Sequence, residues 1–180
     1  MTSTPAKLTE TPLDALSLDE VRCFLAVTPC PCCHAGPIAL DTSATSPATC
    51  QACGGELLLD YTVEYPIPDD TDDAIPHINP TDEPSRLVDL NQWLGLAYLH
   101  AEAAGSHRIA SSEHHARQLW AAACLTEALK FYPKDAEFPP QGACWVETSQ
   151  RALADHPNIF SREILMGLRT KLPPLPAWPA

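Results

Sequence analysis

Cysteine carries the sharpest chemical signal in this 180-residue chain. Cys30-Pro31-Cys32-Cys33 and Cys50-Gln51-Ala52-Cys53 are two CxxC pairs separated by 16 residues. A CxxC turn aims two sulfurs at one point while its backbone N–H groups stabilise thiolate charge, so two such knuckles on adjacent hairpins complete a tetrahedron around one ion. Zinc suits that cage, because it needs no redox change and takes four thiolates at about 2.3 Å. Within the first knuckle Cys32 offers an alternative sulfur and His34 an alternative nitrogen. A cage closed by four protein ligands has no open position, so it stabilises a fold rather than performing chemistry. A thiol–disulfide centre would instead need a helix N-terminus after one of the pairs.

The first pair continues as His34-Ala35-Gly36-Pro37 and the second as Gly54-Gly55-Glu56-Leu57, with glycines where knuckle turns need positive φ. These motifs resemble the zinc-ribbon, or rubredoxin-like, superfamily over about residues 29–63. The resemblance implies a three-stranded antiparallel ribbon with Cys30, Cys33, Cys50 and Cys53 as structural zinc ligands. Iron in the same cage, as in a rubredoxin-like electron carrier, is the alternative metal. The choice of Cys30 over Cys32 rests on the CxxC spacing alone.

Other reactive side chains are scattered. Cys23, Cys124 and Cys144 fall on apolar helical faces, where cysteine acts as a small buried hydrophobe. His100, His107 and His114 are spaced by seven, and Glu113 and His115 flank the last of them. Gly105 and Ser111-Ser112 interrupt the helix that would align these histidines, so they are expected as polar groups capping helix ends. Their other use is a dispersed enzyme site built from His100, Glu113, His114 and His115. Trp93, Trp120 and Trp145 are expected as anchors between helices, an exposed one serving instead as a partner contact.

Proline divides the elements that must hold these residues. There are 19, yet none lies between Pro84 and Pro133, where Ala and Leu are frequent and long helices fit. Residues 1–27 read as a flexible tail and a short helix over 18–26, opened by a capping box of Ser17 and Glu20. Residues 28–65 form the ribbon, with a strand-like run over 56–63. Residues 66–84 read as an acidic, proline-rich linker. Residues 85–173 carry four helices at about 85–104, 112–132, 141–154 and from Ser161 to about 172, and 174–180 form a loose tail. In residues 85–133, Leu94-Gly95-x-x-Tyr98 with Ala121, Leu125, Ala128-Leu129 and Pro133 resembles the two halves of a tetratricopeptide repeat. That resemblance implies an antiparallel helical hairpin with a groove for a partner peptide. Fourteen extra residues between the halves and the lack of a second copy set this chain apart from it.

The expected fold is therefore α+β and mostly α, a small antiparallel β zinc ribbon followed by a four-helix all-α unit. The formal charge is −12, and it is uneven: residues 1–60 hold 2 basic and 7 acidic groups, 61–85 hold 0 and 7, and 86–180 hold 9 and 9. Between 28 and 65 there is no Lys or Arg, and four thiolates around Zn²⁺ add −2. A nucleic-acid-associated ribbon, one alternative, would have to hold phosphates against that charge. No apolar run spans a membrane and no signal peptide is recognisable, which makes the cytoplasm the expected compartment. The expected function is a protein-interaction or adaptor module, its partner another protein met by the helical domain.

Overall fold

A computed structural model describes residues 6–40, 48–66, 74–106 and 110–179. The fold is α+β and mostly α. Strands β1 (Ala6–Lys7) and β2 (Leu13–Ala15) precede helix α1 (Leu18–Val27), in a stretch expected as tail. Strands β3 (Ile38–Leu40), β4 (Ala48–Cys50), β5 (Glu56–Leu58) and β6 (Tyr61–Val63) follow. The expected three-stranded antiparallel ribbon is the meander β3-β4-β5, with Ile38 opposite Cys50 and Ala48 opposite Leu57.

Two parallel pairings enlarge it. The run over 56–63, expected as one strand, breaks at Leu59-Asp60, so β5 and β6 join different sheets. β1 pairs in parallel with β5, giving the order β1-β5-β4-β3, and β2 pairs in parallel with β6. Each half of the run would otherwise leave an edge of unpaired backbone groups, which residues 6–15 satisfy. Leu8 N–H donates to the Leu58 carbonyl and Leu13 N–H to that of Asp60, both at 2.9 Å.

Ser17 caps α1 as the sequence predicts, its hydroxyl accepting from Glu20 N–H at 3.1 Å. The Glu20 carboxylate reaches back one residue further than a capping box requires, to Leu16 N–H at 2.6 Å. Val21 and Leu25 on one side of α1 enter the ribbon core with Leu13, Ile38 and Leu57. Cys23 and Val27 on the other side meet the helical core, and Phe24 touches both.

The helical unit consists of α2 (Leu90–Ala104), α3 (Ser111–Leu129), α4 (Glu147–Asp155) and α5 (Arg162–Arg169). α2 and α3 form an antiparallel hairpin, since Ala104 meets His114 and His100 meets both Arg117 and Trp120. Trp93, Phe160 and Leu165 are fully buried in the helical core, and Cys124 and Ala128 of α3 are buried with them. The tetratricopeptide likeness fails at Gly95, which faces open space rather than a helix crossing, and at Tyr98, which is half exposed.

Asp89 explains two further departures. Its fully buried carboxylate accepts from Gln92 N–H at 3.0 Å, which starts α2 five residues later than the apolar stripe predicts. It also accepts from Trp145 and Val146 N–H, at 3.2 and 3.1 Å. The helix expected over 141–154 is thereby split into a 3-10 turn (Gln141–Ala143) and α4. Ser161 caps α5 as expected.

The segment expected as a linker makes long-range hydrogen bonds at residues 77–79. Ser17 Oγ donates to the Ile78 carbonyl at 2.6 Å and His77 N–H to Asp19 at 2.7 Å. Asn79 Nδ2 donates to Glu127 at 3.0 Å, and Lys130 Nζ to the Asn79 carbonyl at 3.1 Å. Residues 77–79 therefore join α1 to α3. In the stretch expected as a loose tail, Leu175 packs on the helical core and Trp178 makes T-shaped ring contacts with His77 and Tyr65, centroids 5.5 and 6.5 Å apart.

Candidate metal centre

Three elements bring the knuckles together. α1 is capped at its C-terminal end by Thr28, whose hydroxyl donates to the Phe24 carbonyl at 2.7 Å, and delivers the chain to Cys30. β4 ends on Cys50 itself, and β3 and β5 lead away from the two knuckles. The knuckles have the same construction. His34 N–H donates to the Cys30 carbonyl and Gly54 N–H to the Cys50 carbonyl, each at 2.8 Å. Both donors have positive φ, 56° at His34 and 69° at Gly54. His34 is thus the turn residue of the first knuckle, in the place glycine holds in the second. Gly36, with φ of 73°, lies so close to the second knuckle that a Cβ there would meet Ala52 Cβ at 2.5 Å. Only glycine permits that approach.

The sulfurs of Cys30, Cys33, Cys50 and Cys53 lie within 4.8 Å of one another. Across the knuckles, Cys30 Sγ is 3.9 Å from Cys53 Sγ and Cys33 Sγ is 3.7 Å from Cys50 Sγ. A tetrahedron with metal–sulfur bonds of about 2.3 Å has sulfur–sulfur edges of about 3.8 Å, so the donor set fits one zinc-sized ion. Cys32 N–H points at Cys30 Sγ from 3.4 Å. Backbone N–H groups of Cys33 and then Cys32 draw the Cys30 thiol down to about 6 against the opposing effect of burial, which favours the thiolate a metal needs.

Cys32 and His34 are outside the quartet, and Cys32 is exposed. Among the described residues no other group of three or more His, Cys, Asp or Glu side chains converges in this way. Cys23, Cys124 and Cys144 are buried among apolar side chains.

The histidines of the α2–α3 hairpin have packing and capping roles. His100 stacks on Trp120 at 5.6 Å, and its Nδ1 lies 3.4 Å from an Arg117 nitrogen. Burial, then the Arg117 charge, lowers its pKa to about 4, so it is neutral at pH 7. His114 Nδ1 meets the Ala104 carbonyl at 2.7 Å and closes the end of α2, a helix-end role of the kind expected. Glu113 pairs with Arg117 at 3.5 Å, and both are substantially exposed. His107 lies outside the described residues. Of the tryptophans, Trp93 is buried, Trp120 packs on the core, and Trp145 is 42% exposed beside Phe131.

Gly55 has a role that sequence reasoning missed. Gly36 and Gly54 have the positive φ expected of all three knuckle glycines, and Gly55 lacks it. A Cβ on Gly55 would press on Cys53 Sγ at 3.3 Å, so its bare backbone leaves room beside the cage. The repeated glycine after the second knuckle was the available signal. No family model, no curated protein and no solved structure matches this chain. The zinc-ribbon likeness therefore rests on the two knuckles and their geometry.

Proposed function

We propose that the chain is a zinc-binding adaptor: a structural four-cysteine ribbon fixed to a helical unit that binds another protein. The observation that carries the metal half is the sulfur spacing of 3.7 and 3.9 Å across the knuckles, which matches the tetrahedral edge. Zinc, with Cys30, Cys33, Cys50 and Cys53 as ligands, is preferred over iron because the closed cage serves folding without redox chemistry. A ribbon this small needs such a staple to hold its few buried side chains. The test is elemental analysis of the full chain purified without added metal. One zinc per chain supports the reading, and iron or no metal overturns it.

Support for the interaction half comes from the surface of the helical unit. Trp145, Phe138, Ile159, Ile164 and Met166 expose between 42% and 49% of their surface, on a half of the chain with equal numbers of acidic and basic residues. An exposed tryptophan next to a second aromatic ring is the type of side chain that dominates protein interfaces. The ribbon has no Lys or Arg between 28 and 65, which disfavours phosphate contact by it and supports a protein partner over a nucleic acid. A partner retained by the full chain in quantitative co-purification is expected to be lost with Trp145→Ala while zinc content stays unchanged. If Trp145→Ala keeps every wild-type partner, this surface is not the interface.

A further inference from the structure

A fifth thiol, which the four-ligand cage does not use, lies beside it. Cys32 is exposed, and the position of a Cβ on Gly55 would be 3.8 Å from Cys32 Sγ and 3.3 Å from Cys53 Sγ. The two sulfurs border one small open space and are no more than about 7 Å apart, against the ~2.05 Å of a disulfide bond. Cys53 is the exposed member of the quartet, whereas Cys30 and Cys50 are fully buried and Cys33 is intermediate. An exposed cage cysteine thus has an exposed non-cage cysteine near it, and no side chain at Gly55 separates them.

We propose that Cys53 and Cys32 form an oxidation site for hydroperoxides, Cys53 as the attacking sulfur and Cys32 as the resolving thiol. This rests on the zinc reading above, since Cys53 is one of the four cage sulfurs. The Cys53 thiolate attacks the terminal peroxide oxygen. A sulfur–oxygen bond forms, the oxygen–oxygen bond breaks, and the alkoxide leaves and takes a proton from water. Cys53, oxidised by two electrons, is then a sulfenic acid. Cys32 attacks that sulfur, the sulfur–sulfur bond forms, and hydroxide departs with the Cys32 proton as water. One thiolate, one thiol and one hydroperoxide become one disulfide, one alcohol and one hydroxide ion. The cage retains three sulfurs, and reduction by a dithiol restores the fourth.

The experiment treats the full zinc-loaded chain with hydrogen peroxide, then with dithiothreitol, and measures zinc release, disulfide pairing by peptide mass mapping, and zinc rebinding. The wild type should release its zinc with a disulfide between Cys32 and Cys53 and recover most of it on reduction. Cys32→Ser should start with one zinc per chain but recover at least about five-fold less, with Cys53 found as sulfinic or sulfonic acid. Equal recovery in Cys32→Ser, or a disulfide formed only among other cysteines, overturns the inference and leaves the zinc site standing. A Cys32→Ser or Cys32→Ala chain that never holds zinc makes Cys32 a ligand and also overturns it. A wild-type chain without zinc removes both readings together.

Discussion

Glu127 and His100 are ionisable groups held away from water, and they give the protein opposite responses to pH. Burial raises the Glu127 pKa to about 7, against the lowering effects of Lys130 at 2.7 Å and Asn79 at 3.0 Å. A carboxyl group with a raised pKa contributes stability that is fully present below its ordinary value of 4.5 and is lost as pH rises through about 7. His100, lowered to about 4, contributes stability that is fully present above 6.5 and is lost as pH falls through about 4. The two slopes oppose each other between these limits, so single variants separate them better than the wild type does. Urea unfolding of Glu127→Gln at pH 5 and pH 8 should show the variant gaining about 2 kcal/mol on the wild type at the higher pH. An unchanged difference between the two pH values would mean that Glu127 titrates like an exposed carboxyl.

At the scale of elements, Asp89 determines where two helices start. Four donors converge on its carboxylate: the N–H groups of Gln92, Trp145 and Val146, and the Ser149 hydroxyl at 3.0 Å. Asp89→Ala leaves buried donors unpaired at both helix starts and should cost about 3 kcal/mol by denaturant midpoint. A loss under about 1 kcal/mol would show that water or neighbouring groups replace the carboxylate. The sequence signals that succeeded are local ones. The caps Ser17 and Ser161 lie three residues from the N–H groups they accept, and each CxxC pair closes within one turn. What sequence reasoning missed depends on distant partners. Asp89 is separated by more than fifty residues from Trp145 and Val146, and so is Asp19 from His77, which leaves no periodicity to read. The parallel pairings of β1 and β2 are equally non-local, and residues 6–15 look like a polar tail until the edges of β5 and β6 are in place.

Over the whole molecule, the ribbon and the helical unit share structure. Phe24 and Leu87 pack against both cores, and residues 77–79 bond to α1 and α3 at once. Loss of the metal should therefore be felt beyond the ribbon. Cys50→Ser is expected to abolish zinc binding and unfold β3 to β5 while α2 to α5 keep most of the helical circular dichroism at room temperature. Their melting temperature should fall by several degrees as the shared packing weakens. Unchanged metal content and melting would mean that the quartet is not a staple. The charge distribution belongs to this scale too, since the acidity lies in the ribbon and the segment after it, and the helical half is neutral. The central claim, a closed four-sulfur zinc cage, is tested most directly by X-ray absorption at the zinc edge on the full chain. One zinc per chain with four sulfurs at about 2.3 Å and no nitrogen or oxygen neighbour is expected. A first shell containing nitrogen or oxygen, or fewer than four sulfurs, would contradict it.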